Sequence, residues 1–374
     1  MKRVLVTGVS GFLGHHCALE LLKNGYHVRG SIRDLNKKSE ILNGLKKEVD
    51  PGEKLEFVKL DLLNDDGWEN AVEGCKYVLH VAAPFSVKEP KNENEYIEPI
   101  RDGTMRALKF SQKAKVKRIV LTSSAVTMMG VVYDSNQDTG MVDSKDWTDP
   151  NSNNINTYIK AKTLGEKAAW KFYNNQSDDF SIEMAVMCAG GIYGPSLTGN
   201  ISGFSLRGVH QMLTGHFKMS MIPPAGIPMS DVRDLAKLHV LAMTEKKANG
   251  KRLIPTASRA YSFMDIARIL KENGYNKVST KKAPIFMIKL MSLFDREAKG
   301  MVPIVGKTVS SNNEETKGIG SQSKISLVSV LLELTVLPTR GTIPLASLSN
   351  RLINFIINIG AFFVLTLLLS LIHI

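Results

Sequence analysis

The first fourteen residues, Met1-Lys-Arg-Val-Leu-Val-Thr-Gly-Val-Ser-Gly-Phe-Leu-Gly14, constrain the fold of this chain more than any other stretch. Val4-Leu5-Val6 is a short apolar run of the kind that forms a strand buried on both faces. Gly8, Gly11 and Gly14 follow at three-residue spacing into a helical pattern. The strand must turn sharply into a helix, its backbone must approach a pyrophosphate, and the helix must pack on the sheet. Each step excludes a Cβ. The helix N-terminus then offers free N–H groups to phosphate. The spacing is Gly-x-x-Gly-x-x-Gly, not Gly-x-Gly-x-x-Gly, so nucleotide binding is argued from its place between strand and helix rather than from the triplet itself.

The rest of the chain alternates strand and helix. Phe12 to Leu22 is helical and closes at Asn24-Gly25. His27 to Arg33 is a second strand and its exit, where an acidic residue would suit the 2′-hydroxyl of NAD and a basic one the 2′-phosphate of NADP. Ser31 and Arg33 stand there, with Lys37 one helical turn further on, and point to NADP. Leu55 to Leu60 is a third strand ending at Asp61-Leu62, and Asp65 to Val72 a short helix. Tyr77 to Ala83 is a fourth strand whose small residues, Ala82 and Ala83, admit a cofactor. One helix is expected from Glu93 to Ala114, and Lys117 to Leu121 is a fifth strand that delivers Thr122-Ser123-Ser124. A polar loop from Asp134 to Asn156 leads to a helix starting near Thr157, which puts Tyr158 and Lys162, four apart, on one face. Ser181 to Met187 is a sixth strand. This order predicts an α/β fold with a doubly wound parallel sheet of Rossmann type. Ligands of such sheets bind outside the carboxyl ends of the strands, where Gly8, Asp61, Ala83 and Ser124 converge.

Together these residues resemble the extended short-chain dehydrogenase/reductase group of the NAD-dependent epimerase/dehydratase superfamily. Thr7-Gly-Val-Ser-Gly-Phe-Leu-Gly14, Val81-Ala-Ala-Pro84, Thr122-Ser-Ser-Ala125 and Tyr158-x-x-x-Lys162 carry the likeness. Gly30-Ser-Ile-Arg-Asp34, Lys162-Thr-Leu-Gly-Glu-Lys-Ala-Ala-Trp170 and Asp231-Val-Arg-Asp-Leu-Ala236 are similar to the dihydroflavonol reductase and yeast-type aldehyde/ketone reductase branch. The resemblance implies reduction of an aldehyde or ketone with NADPH, NAD being the lesser alternative. It implies Tyr158 as general acid/base, Lys162 on the ribose hydroxyls and Ser124 orienting the substrate oxygen. Lys162 and the nicotinamide are expected to lower the Tyr158 pKa. The implied cofactor contacts are Gly8, Gly11, Phe12, Leu13, Gly14, Arg33, Lys37, Asp61, Leu62, Ala82, Ala83, Thr122, Tyr158, Lys162 and Gly191. The substrate wall is expected from Phe85, Thr127, Met128, Ile192 and Tyr193. The chain departs from the family pattern at two places: Cys188-Ala189 replaces the usual Asn-Pro beside the nicotinamide, and Ala161 replaces a serine. Rival members of the same superfamily are a hydroxysteroid dehydrogenase-like enzyme and a sugar-nucleotide epimerase. Dehydratases place Asp-Glu where Ala125-Val126 stands. A catalytically idle NADP-binding regulator is the rival from a different class, and the intact Ser124, Tyr158 and Lys162 speak against it.

Residues 1–190 are expected to form the dinucleotide domain, its sheet completed by part of 228–258, and residues 191–320 a smaller substrate lobe. Helices are expected at Phe204 to Leu213, Asp234 to Met243 (capped by Asp234) and Phe263 to Leu270. The net charge of +12 lies in scattered lysines with no nucleic-acid motif. Cys17, Cys75 and Cys188 imply no disulfide framework, and His15-His16-Cys17 point in different directions on a helix, so no metal site is expected. The body is expected in the cytoplasm, as monomer or homodimer. Leu352 to Ile372 is uncharged and of transmembrane length, which would tether the enzyme on the cytoplasmic side. However, the resemblance stops near Gly320, and Leu369-Ser-Leu-Ile-His-Ile374 reads like a translated transposon end from library preparation. A frameshift with read-through over residues 321–374 is therefore favoured over an anchor.

Overall fold

A computed structural model describes residues 2–84, 88–177, 180–200, 203–214, 221–257 and 259–320. In chain order these form β1 (Arg3–Thr7), α1 (Phe12–Lys23), β2 (His27–Ile32), α2 (Lys38–Lys46), β3 (Leu55–Lys59), α3 (Trp68–Val72), β4 (Cys75–His80), α4 (Asn94–Ile97) and α5 (Gly103–Lys113). Then come β5 (Arg118–Ser124), α6 (Val126–Tyr133), β6 (Thr139–Val142), α7 (Thr157–Asn174), β7 (Glu183–Ala189), β8 (Gly191–Tyr193) and α8 (Phe204–Thr214). The remainder is β9 (Gly226–Ile227), β10 (Met229–Asp231), α9 (Val232–Thr244), β11 (Lys251–Leu253), β12 (Tyr261–Ser262), α10 (Phe263–Glu272), α11 (Ile285–Met291), α12 (Arg296–Met301), β13 (Thr308–Ser311) and α13 (Glu314–Lys317).

The main sheet runs β11-β7-β5-β4-β1-β2-β3, and every pairing in it is parallel. Strand order reverses on either side of β1, so a crevice opens at the carboxyl ends of β1 and β4. Alternation along β1 explains the two covered faces: Val4 and Val6 pack with α1, α2 and α9, whereas Leu5 packs with α3, α5, α6 and α7. β11 returns from the second half of the chain to close the sheet beside β7.

Three local differences from the sequence expectation have physical causes. The helix expected over Glu93 to Ala114 is divided by a π turn at Glu98–Asp102 that contains Pro99, whose missing N–H removes one α-helical bond. Helix α9 starts earlier than expected, because Asp231 rather than Asp234 caps it, accepting from Arg233 N at 2.7 Å and Asp234 N at 3.4 Å. The polar loop after α6 contains β6, which pairs with β13 in a four-stranded sheet ordered β12-β9-β13-β6. β6 is short and half-exposed, and its partner lies near the end of the described chain, so no local periodicity marks it. Among the described residues no helix is long and apolar enough to cross a membrane. The segment 352–372 lies outside the described residues.

Candidate active site

The glycine turn is tighter than its spacing alone requires. Gly8 has φ +67°, in the left-handed region, and a Cβ on it would stand 2.9 Å from Ala82 Cβ. A Cβ on Gly14 would stand 2.3 Å from Gly8 O. Gly11 N–H donates to Gly8 O at 2.9 Å, and no side chain caps α1, so the N–H groups of its first turn stay open at the cleft. That cradle fits a dinucleotide pyrophosphate. Gly8, Gly11, Phe12, Leu13 and Gly14 all line a cleft of about 650 Å³. Two hydroxyls brace the turn from behind: Ser31 Oγ accepts from Gly8 N–H at 3.2 Å, and Thr7 Oγ1 accepts from Val81 and Ala82 N–H at 3.0 Å. Thr7 Oγ1 also lies 3.0 Å from His80 Nδ1. Burial, then the Lys162 charge, takes His80 down to about 3, so its ring is neutral.

Arg33 lines the cleft beyond β2, is exposed, and forms no ion pair with a described residue. Lys37 does not line it. The chain leaves β2 through an Asp34-capped 3₁₀ turn, Leu35–Lys37, before α2 begins, so Lys37 is not one α-helical turn on from Arg33. Asp61, Leu62, Ala82 and Ala83 line the same cleft from the ends of β3 and β4.

Thr122 and Ser124 come from the end of β5, and Tyr158 and Lys162 from the first turns of α7. Asn156 caps α7 by accepting from Ile159 N–H at 2.9 Å, which fixes the start of the helix and thereby the face that holds Tyr158. The phenol is hydrogen-bonded to Ser124. Burial pushes the Tyr158 pKa well up, and the Ser124 bond pulls partly against it. In the chain alone desolvation therefore outweighs the lowering expected from Lys162. The Lys162 ammonium donates to Thr122 O at 3.2 Å. Burial draws its pKa down to about 8, with Glu166 and Cys188 acting in the opposite direction.

Behind these groups lies a polar network whose members are far apart in the sequence. The Glu166 side chain is fully buried and pairs with Arg252 Nε at 2.6 Å. It also accepts from Thr127 Oγ1 at 2.8 Å and from Ser123 Oγ. Arg252 reaches the carbonyls of Ser144 and Asp146 and lies 3.8 Å over the Trp147 ring. Thr127 is thus committed to this network and Met128 to the core beneath the sheet. Neither lines the cleft, because α6 starts directly after Ala125 and turns both inward. Gly191 and Ile192 do line it, whereas Tyr193 is buried against a second cavity. Phe85 lies outside the described residues. On the far side of β5, Thr122 Oγ1 donates to His239 Nε2 at 2.8 Å, whose Nδ1–H donates to Leu235 O at 2.7 Å. Of these additions only the Asn156 cap has a local sequence signal. Glu166 and Arg252 are 86 residues apart and meet only through the sheet order.

The NAD dependent epimerase/dehydratase family model matches residues 4–254. A cinnamoyl-CoA reductase of Medicago truncatula is 31% identical over 277 residues, 72% of this chain and 80% of that protein. A bifunctional dihydroflavonol 4-reductase/flavanone 4-reductase of Malus domestica is 29% identical over 278 residues, 72% of this chain and 76% of that protein. Among solved structures, Gre2 of Candida albicans in complex with NADPH has TM-score 0.72 at 20% identity, with 90% of this chain and 98% of that one covered. Yeast methylglyoxal/isovaleraldehyde reductase Gre2 with NADPH has TM-score 0.71 at 21% identity, with 90% and 97% covered. On this matched span, and with the glycine turn, Ser124, Tyr158 and Lys162 on one cleft, the chain belongs to the NAD-dependent epimerase/dehydratase family, among its extended short-chain dehydrogenase/reductase members.

Proposed function

We propose that this chain reduces an aldehyde or ketone to an alcohol with NADPH, Tyr158 supplying the proton. The observation that carries it is the meeting of Ser124, Tyr158 and Lys162 on the cleft that the glycine turn opens. Bound NADPH supplies the hydride. The Tyr158 hydroxyl gives its proton to the carbonyl oxygen as charge develops there, and Ser124, already bonded to that phenol, orients the same oxygen. A buried phenol is a full proton donor at neutral pH but leaves a costly phenolate, and the Lys162 cation one helical turn away stabilises that anion. Lys162 uses one N–H on Thr122 O and keeps others for the ribose hydroxyls.

The glycine turn holds the pyrophosphate on open N–H groups, and Arg33 takes the 2′-phosphate. Relatives named cinnamoyl-CoA reductase and dihydroflavonol 4-reductase support carbonyl reduction, and fold neighbours bound to NADPH support the cofactor. Residues 1–190 serve the dinucleotide and residues 191–320 the substrate. An epimerase holding NAD is disfavoured by Arg33 and the absence of a carboxylate at Ser31.

The test is NADPH oxidation by purified protein over a panel of aldehydes, diketones and ketosteroids, with Tyr158→Phe beside the unaltered chain. General acid catalysis contributes about 10²–10⁴-fold, so the variant should lose turnover in that range while its NADPH affinity stays nearly constant. Retained turnover in a variant that still binds NADPH would show that another group donates the proton.

A further inference from the structure

Next to the cleft, within the second half of the described chain, lies a separate cavity of about 190 Å³ between α8, α10, α11 and α12. Its wall is mainly apolar, with Val209, Met212, Phe263, Ile266, Ile288 and Met291 among the residues that line it. Arg207 and Glu297, half-exposed and 3.6 Å apart, stand at its outer rim. Ser205 and Met301 line both this cavity and the cleft, so the two spaces share one partition. Tyr193 closes that partition from the buried side, its hydroxyl bonded to Ser205. Met301 is half-buried and unbranched, and a methionine can change rotamer to open a passage at small cost.

We infer that this cavity receives the apolar arm of the carbonyl substrate, so that the site selects carbonyl compounds bearing an unbranched alkyl or single-ring tail over small polar ones. The proposal rests on the reading of the cleft as a carbonyl-reducing site. Continuity through the Ser205–Met301 partition supports an extension of that site rather than an independent one. Among the described lining residues the charges are engaged: Arg207 and Glu297 pair with each other, and Asp295 caps α12 through Glu297 and Ala298 N–H. A cavity of this kind discriminates by buried apolar area.

The experiment measures kcat/KM with NADPH for straight-chain aldehydes from propanal to nonanal, in the unaltered chain and in Val209→Phe on α8 and Ala298→Phe on α12, which fill the cavity from two different helices. In the unaltered chain kcat/KM should rise roughly fourfold per methylene until the cavity is full. Each filling variant should lower it about tenfold for the longest aldehydes and leave propanal within about twofold. Thermal melting and NADPH affinity identify a variant that has lost its fold, and agreement of the two variants on different helices guards against that. Calorimetric binding of 1-octanol to the NADP-loaded protein, weakened in both variants, is the readout independent of turnover. If no carbonyl is reduced yet octanol binds and the variants abolish it, the reductase reading fails and takes the carbonyl substrate with it, while the cavity is still shown to take an unbranched apolar chain. A flat dependence on chain length, or octanol binding indifferent to both substitutions, overturns the inference.

Discussion

Burial draws Lys162 down to about 8 against the pull of Glu166 and Cys188, while it pushes Tyr158 upward, so the two groups lose their useful forms at different pH. Reduction needs a protonated phenol and a charged ammonium. The ammonium is the first to be lost as pH rises, so kcat/KM for reduction should be level near neutrality and fall above about 8. His80 also faces Lys162 but is neutral throughout this range and leaves the profile unchanged. The unfolded chain keeps the lysine proton to about 10.5, so folding stability from this group rises with pH between about 8 and 10.5, opposite in sign to the activity. A kcat/KM profile level to pH ~10 would show that Lys162 keeps its ordinary lysine pKa despite burial and would overturn the expected fall. Arg33 sets a second residue-scale expectation. A charge-assisted contact with the 2′-phosphate is worth about 1.5–3 kcal/mol, so Arg33→Ala should erode NADPH preference by one to two decades and leave NADH use nearly intact. Equal kcat/KM for the two cofactors in the unaltered chain would contradict it.

At the scale of elements, the site depends on how helices begin. α1 begins uncapped by any side chain, which leaves its N–H groups for a ligand, whereas α7 begins on Asn156, which fixes Tyr158 and Lys162. Gly14→Ala should therefore damage cofactor binding before anything else, because its Cβ would fall 2.3 Å from Gly8 O and must push the turn apart. The expected outcome is a large rise in the NADPH dissociation constant with most helicity retained, followed by fluorescence titration and circular dichroism. Asn156 has a second bond: its Nδ2 donates to Gly300 O at 2.8 Å, joining α7 to the end of α12. Asn156→Ser keeps a good cap but loses that tie, which is worth about 0.5–1.5 kcal/mol. KM for the carbonyl should rise roughly two- to tenfold while NADPH affinity is unchanged. An equal loss of both would mean that the cap alone matters.

At the scale of the whole molecule, the Glu166–Arg252 pair is where distant segments are joined: β5 and α6 through Ser123 and Thr127, α7 through Glu166, and the returning β11 through Arg252. Breaking a buried pair from one side leaves an uncompensated charge and costs about 3–5 kcal/mol. Arg252→Met should lower stability in urea by that order, and Arg252→Met combined with Glu166→Leu should recover part of it. Equal losses in the single and double variants would show that packing, not charge, holds this junction. Neither the pair nor β6 has a local signature, because long-range partners are chosen by sheet order and not by spacing along the chain. The sequence alone determined the glycine turn and the alignment of Tyr158 with Lys162, which depend on residues a few positions apart, and the parallel doubly wound class of the sheet, which follows from the regular alternation of strands and helices. Strand periodicity, the exclusion of Cβ atoms and the helical repeat are local constraints, readable in the chain itself. Only the tertiary structure decided that Lys37 leaves the cleft, that Thr127 and Met128 turn inward, and that Ser205 and Met301 divide two cavities. The first two turn on a short 3₁₀ turn after β2 and on the exact start of α6, which propensity does not fix to the residue, and the partition of the cavities and the balance of burial over charge at Tyr158 follow from packing between distant segments.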